Sequence, residues 1–381
     1  MDGMAALPVR AFNDELVADL AEHAAAIDRD GAFPARSMRA LQARGLLAAT
    51  ALIDDGGQEI GLARASELVR LAGRGCASTA LIFAMQLIHL RVAARSQWPA
   101  HLRALVGRSA ARSGALINAL RVEPALGTPS RGGMPATLAR RTAHGWSISG
   151  RKIYSTGAPG LAWMIVFAAT DEVVPRVGQF LVPASTPGIR IEETWDQLGL
   201  RGSSSHDVVF ENVAVPADHA VDLRAPAGWA QRDDEFAAWN ALLISSLYTG
   251  VAEAARDWTV QFLRERSPAN LGAPLATLPR MQEAVGRIEA RLATNRRLIA
   301  CASADTDAGR FPAASESALI KTVAADNAIE AVQAAVQLAG NHALARANPL
   351  ERHLRDVLCA RIHAPQPDAA YTAAGRIALQ Q

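Results

Sequence analysis

The chain changes its hydrophobic rhythm twice, and that double change limits the folds open to it. From about residue 12 to 112, apolar residues recur at helical spacing. Residues 37–47 bring Met38, Leu41, Leu46 and Leu47 near one face, and 77–94 is apolar nearly all round, as a buried helix requires. Gly and Pro mark joints at 31–34 and 56–57. From Ser113 to about Pro216 the pattern shortens to alternation and brief apolar runs. Residues 146–150, 163–169, 179–183, 189–193 and 207–210 predict strands, with His144-Gly145 and Asn212 as turn residues. Helical periodicity then returns in four segments, 235–266, 278–305, 312–340 and 349–362, with short joints that predict an antiparallel bundle.

Helices, then strands, then helices make an α+β arrangement. The boundaries fall as an N-terminal helical domain over 1–112, a middle β-barrel or sandwich domain over 113–226, and a C-terminal four-helix bundle over 227–381. A length of 381 residues suits several packed units sharing a core. Half of the residues are hydrophobic and 20% are charged, the profile of a folded globular chain. The net charge of +2 offers no case for nucleic acid, and the arginines alternate with acids along helices as on solvated faces. Only Lys152 and Lys321 are lysines. Cys76, Cys301 and Cys359 stand far apart without metal-ligand spacing, and are expected to be reduced core residues of a cytoplasmic protein. Asp2, Asp14 and Glu15 stand where a signal peptide would be basic and then apolar. No run of about 18 uninterrupted apolar residues suggests a membrane span.

Three blocks carry a family resemblance. They are Gly145-Trp-Ser-Ile-Ser-Gly-Arg-Lys-Ile-Tyr-Ser-Thr-Gly157, then Leu198-Gly-Leu-Arg-Gly-Ser-Ser-Ser205 with Val209-Phe-Glu-Asn-Val-Ala-Val-Pro216, and finally Gln337-Leu-Ala-Gly340 with Pro349-Leu-Glu-Arg-His-Leu-Arg-Asp356. In this order and spacing they resemble the acyl-CoA dehydrogenase superfamily over nearly the whole chain. The resemblance implies a flavin, FMN or FAD, between the β domain and the bundle. It implies that Thr156 bonds the flavin N5/O4 edge, with Tyr154 and Ser155 beside the ring. A hydroxyl donor there stabilises charge on the reduced ring. Gln337 and Gly340 resemble residues that reach a neighbouring subunit's cofactor, which implies a homo-oligomer, usually a tetramer. Taken alone, a Ser-Thr-Gly run is an ordinary turn.

A dehydrogenase of this family needs a glutamate to remove the substrate α-proton. The commonest family position for it corresponds to Pro365, and the alternative position to Asn240; neither is a base. Asp233, Asp234 and Glu235 lie upstream and fit a solvated helix start. The chain is closer in pattern to the reduced-flavin-dependent monooxygenases of the dibenzothiophene monooxygenase type. The shared features are His363 just before Pro365, His89-Leu90, Asn118-Ala-Leu120, and a hydroxyl at Thr156. In that reading His363 donates to the activated oxygen, His89 assists or orients substrate, and Asn118 holds the oxygen or the flavin edge. The ordinary alternatives stay open: His89 as a core residue, His363 as a helix C-cap, Asn118 as a backbone partner at a strand entry.

Departures from the family bear on cofactor and partners. Arg264 and Arg266 precede Ser267-Pro-Ala-Asn-Leu-Gly272 where the family's pyrophosphate-binding arginine precedes Thr-Phe-Gly, so Arg266 is a cofactor contact that leaves FMN possible. A Thr-Glu-Pro-Gly-rich stretch survives only as Arg121-Val-Glu-Pro124. No Gly-rich dinucleotide fingerprint is present, which implies that a separate reductase supplies reduced flavin. The resulting expectation is a two-component monooxygenase acting with O2 on a small apolar substrate. An acyl-CoA dehydrogenase with a displaced base and a flavin-free or inactive homologue remain the alternatives.

Overall fold

The computed structural model describes residues 9–125, 134–229 and 233–380. Six helices come first: α1 (Val9–Glu22), α2 (Ala24–Asp30), α3 (Ala35–Ala43), α4 (Leu62–Gly75), α5 (Ala77–Arg95) and α6 (Ala100–Ser113). The middle holds β1 (Leu116–Leu120), β2 (Leu138–Thr142), β3 (Gly145–Lys152), β4 (Leu161–Thr170), β5 (Val177–Pro183), β6 (Ile189–Glu192), β7 (Asp207–Pro216) and β8 (Ala220–Arg224). The chain closes with α7 (Asp234–Glu265), α8 (Pro279–Asp307), α9 (Ala314–Ala339), α10 (Asn341–Leu344), α11 (Leu350–Leu358) and α12 (Pro367–Leu379).

The expected buried helix is α5. It is long and apolar enough to cross a bilayer, yet 83% of that apolar window packs inside the protein. It lies against α4, α7 and β1, at the junction of the three parts. Alanine and glycine let the helices approach closely: a Cβ on Gly73 or Gly250 would sit 2.4 Å and 2.1 Å from the facing helix's carbonyls.

The sheet runs β6-β7-β3-β2-β4-β5-β8, with β1 pairing in parallel to the first half of β4. Trp146 on β3 meets Phe180 on β5 edge-on at 5.5 Å, although two strands separate them in the sheet. The sheet therefore curls over its own core, consistent with its right-handed twist. Asn212 is not a terminating turn. It takes φ 52° inside β7, where the register with β3 shifts, and the strand runs on to Pro216.

Two further expectations need correction. The fourth bundle segment is not one helix over 349–362: α11 stops at Leu358, a 3-10 turn follows at Cys359–Arg361, and α12 begins at Pro367. The turn between them includes a cis Ala364–Pro365 bond. The cysteines also differ. Cys76 is buried, but Cys301 is exposed on α8 and Cys359 is half-buried, because only Cys76 falls on a helix start facing the core.

One clamp ties the sheet domain to the last helices. The N–H of Leu200 donates to Asp356 Oδ1 at 2.7 Å, and Arg355 donates to the Leu198 carbonyl at 3.0 Å and to both oxygens of Asp28 at 2.9 and 2.6 Å. Gly199 sits between them, where a Cβ would lie 2.3 Å from the Arg355 carbonyl oxygen. Leu200 and Ser204 adopt left-handed φ of 53° and 44°, costly for side-chain-bearing residues unless contacts hold them. Burial pushes the Asp356 carboxyl up to about 6.

Asp356→Ala should therefore cost about 1–3 kcal/mol by orphaning the Leu200 N–H, while Asp356→Asn keeps an acceptor and costs less. A folded pKa above the ordinary value of 3.8 means that folding takes up a proton between about pH 4 and 6. The wild type should gain stability relative to Asp356→Asn as pH falls from above 6 towards 4, measured as the difference in denaturant unfolding free energies. A pH-independent difference would remove this assignment.

Candidate active site

Local backbone geometry after β3 places the Thr156 hydroxyl. Tyr154 takes a left-handed φ of 56°, and the Thr156 N–H donates back to the Tyr154 carbonyl at 3.0 Å. Gly157 follows at φ 76° and donates to the Ser203 carbonyl at 2.8 Å; a Cβ here would lie 3.3 Å from Ile82 on α5. Asn118, buried on β1, donates from Nδ2 to the Thr156 carbonyl at 2.9 Å, while its Oδ1 accepts from the Ala119 N–H at 2.8 Å. The sequence alternative of Asn118 as a backbone partner is thus what the geometry contains.

The Thr156 hydroxyl oxygen accepts from Ser205 Oγ at 3.1 Å, and Ser205 Oγ lies 2.8 Å from Ser203 Oγ. Accepting there leaves the threonine's own hydrogen free to be given away. The buried Ser155 Oγ has no partner among the described residues. Tyr154 is 59% exposed and meets Trp195 edge-on at 6.3 Å. A hydroxyl with an unspent hydrogen, an orphan serine oxygen and an exposed ring fit the polar edge and plane of a flavin.

Helix α7 forms a second wall. Phe236 and Asn240 lie one turn apart on it, and Tyr248 two turns further. Phe236 and His89 have ring centroids 6.4 Å apart. Asn240 Nδ2 donates to the Ala364 carbonyl at 3.3 Å. Tyr248 Oη is 2.8 Å from His363 Nδ1. Burial, with the Lys321 charge, lowers His363 to about 4, so the ring is neutral near pH 7. Burial pushes the Tyr248 hydroxyl well above its ordinary value, so it stays protonated and can donate to Nδ1. In that arrangement the imidazole hydrogen sits on Nε2, as a free donor. Burial and the Arg121 charge lower His89 to about 3, so it too is neutral.

Two buried lysines hold this frame, and the sequence reading missed both. Lys321 Nζ donates to the carbonyls of Ala360 at 2.7 Å, His363 at 2.7 Å and Pro365 at 3.1 Å. Lys152 Nζ donates to Glu123 Oε1 at 2.5 Å, and Glu123 also accepts from the N–H groups of Ala136 at 2.6 Å and Thr137 at 3.0 Å. Burial lowers both lysines to about 8. The available signal was their rarity: in a chain of arginines, the only two lysines are both 0% exposed.

The expected residues thus separate into groups. Asn118 and Thr156 touch directly, His89 and His363 both stand against α7, and Tyr154 and Ser155 immediately precede Thr156. Arg121, just past β1, lies against Phe236 and so reaches the α7 wall from the sheet side. Arg266 is exposed at the end of α7, and Gln337 and Gly340 are exposed at the end of α9. A surface groove of about 560 Å³ beside α7 and α8 is lined by Arg256, Gln261, Arg264 and Glu289; it includes Arg264 but not Arg266 or the other expected site residues.

Family models match three successive parts of the chain: the acyl-CoA dehydrogenase N-terminal domain over 5–94, the middle domain over 122–213 and the C-terminal domain over 242–366. YdbM of Bacillus subtilis (strain 168), provisionally named an acyl-CoA dehydrogenase, is 32% identical over 355 residues, covering 91% of this chain and 90% of its own. The structure of KijD3 with FMN and dTDP-3-amino-2,3,6-trideoxy-4-keto-3-methyl-D-glucose is 28% identical, with a TM-score of 0.83, covering 99% of this chain and 95% of the other. TdsC of Paenibacillus sp. A11-2, solved with FMN and indole, shares the fold at a TM-score of 0.85 and 20% identity, over 96% of each chain. With all three domains matched in order, the chain belongs to the acyl-CoA dehydrogenase family of flavin-dependent oxidoreductases.

Proposed function

We propose that the protein is a monooxygenase that receives reduced FMN or FAD from a separate reductase and uses O2 on a small apolar substrate. The observation that carries this reading is the absence of a proton-abstracting carboxylate at the two places where the family's base corresponds. One is Pro365; the other is Asn240, whose amide is spent on the Ala364 carbonyl. Carboxylates elsewhere on α7 and α11 are committed. Glu235 pairs with Arg91, Glu253 with Arg70 and Arg296, and Asp356 holds the Leu200 N–H. His363 stands on this wall instead; burial lowers its basicity, and with Tyr248 at Nδ1 its Nε2 carries the hydrogen, which suits it to donating a hydrogen bond rather than to abstracting a carbon-bound proton.

Reduced flavin, when bound, supplies the electrons that activate dioxygen. This chain's residues do the rest. Thr156 donates to the flavin edge, steadied by Ser205 and by Asn118 through its carbonyl. His363 offers Nε2–H to the reacting oxygen, its tautomer set by Tyr248. His89 and Phe236 line the substrate side and keep water out. Gln337 and Gly340, exposed in one chain, serve a neighbouring subunit's cofactor in a homotetramer, and Arg266 is a further cofactor contact. KijD3, at 28% identity with FMN and an amino-sugar nucleotide, supports FMN and a substrate that is not a thioester. The 32% identity to YdbM favours the second reading, an acyl-CoA dehydrogenase with a displaced base.

Protein loaded anaerobically with reduced FMN, then mixed with oxygenated buffer in stopped flow, should show an absorbance transient distinct from both end states and longer-lived than with free flavin. Featureless reoxidation, together with anaerobic bleaching of the oxidised protein by an acyl-CoA, would establish the dehydrogenase instead. His363→Ala should lower product formed per reduced flavin consumed by about 10-fold or more, with peroxide released in its place; an unchanged ratio removes the assigned role. Thr156→Val should weaken flavin affinity by about 3- to 10-fold through the lost hydrogen bond, read by fluorescence titration. Normal affinity and turnover would move the flavin edge elsewhere.

A further inference from the structure

Arg121 is a cation with no carboxylate partner among the described residues, set against the α7 wall. Its Cζ lies 4.7 Å from the Phe167 ring centroid and 5.1 Å from that of Phe236, so aromatic rings pack against the guanidinium. Its Nε is buried and makes no hydrogen bond among the described residues. Neither a salt bridge nor a hydrogen bond joins Arg121 to an acid among those residues, and the adjoining stretches 126–133 and 230–232 contain no acid in the sequence. Burial lowers it only to about 10, so it stays charged at neutral pH. The other buried or half-buried cations named above have partners among the described residues: Lys152 has Glu123, Lys321 has three carbonyls, and Arg91 has Glu235.

Arg121 is half-buried, with its Nε out of reach of solvent, and a partly desolvated charge without a counter-ion opposes folding unless a ligand completes the pair. Ring packing uses the faces of a guanidinium and leaves its in-plane N–H groups, which match the two oxygens of a carboxylate. We infer that Arg121 is the anchor for an oxyanion on the substrate, with Phe236 and the neutral His89 ring receiving the substrate's apolar part. The substrate class narrows from small and apolar to an aromatic or otherwise apolar body bearing a carboxylate or similar anion. This rests on the proposal that Thr156 and the α7 wall together hold the flavin and substrate, but not on which reaction occurs there.

Binding tests it without turnover. The FMN-loaded protein is titrated with indole and with indole-3-carboxylate, read by perturbation of the flavin spectrum. The wild type should bind the carboxylate at least 10-fold more tightly than indole. Arg121→Met should abolish that preference while indole affinity changes less than twofold, and Arg121→Lys, which keeps the charge but not the fork, should retain part of it. Equal affinities in the wild type, or an undiminished preference in Arg121→Met, overturn the assignment. So does a variant that loses FMN affinity with its carboxylate preference intact, since the guanidinium then serves the flavin. Should Arg121→Met fail to fold, the wild-type preference and Arg121→Lys decide. A carboxylate preference found in a protein that gives no oxygen transient would leave this inference standing and remove only the monooxygenase reading.

Discussion

The bond from the Leu200 N–H to Asp356 is the joint on which the candidate site depends. It fixes a segment that holds two left-handed residues, Leu200 and Ser204, and that segment presents Ser203 and Ser205 to the loop after β3. Thr156 therefore receives its orientation from a helix about two hundred residues further along the chain. The same joint draws in Asp28 from the first domain through Arg355, so three parts of the chain meet at one pair of adjacent residues. Arg-Asp in the third motif and Leu-Gly-Leu-Arg-Gly in the second are then two halves of one contact. The glycine is needed because the Arg355 backbone passes where its side chain would be.

Much of this architecture was legible in the residues. The two changes of hydrophobic period locate the sheet between helices, and the all-round apolar character of α5 marks it as the central helix. Legibility failed where backbone geometry is set from a distance. Pro365 and Pro367 mark a stop, but nothing local announces that the last bundle helix ends already at Leu358, before a turn held by Lys321 from α9. Nor does Asn212 look different from a turn residue, since a left-handed φ serves a β-bulge as readily as a loop.

The site residues divide in the same way. Thr156, Asn118, His89 and His363 could be singled out by type and order, yet their contacts could not. Asn118 proves to face a backbone carbonyl, and His363 proves to be tied to Tyr248, a residue that sequence pattern alone places in an ordinary helical core. Buried polar groups are specified by their partners, and partners distant in sequence carry no periodic signature. Lys152 and Lys321 are the exception, because a residue type avoided on the surface stands out when it occurs twice.

Lys321 separates placement from chemistry in the turn after α11. It grips main-chain oxygens, and every residue has one, so these three anchors do not depend on which side chains stand at 360, 363 and 365. The side chain at 363 can be exchanged on such a turn while the grip on the backbone stays in place. The turn is in this sense a socket, and one family fold can present different reactive groups at the same place without rebuilding the helices around it.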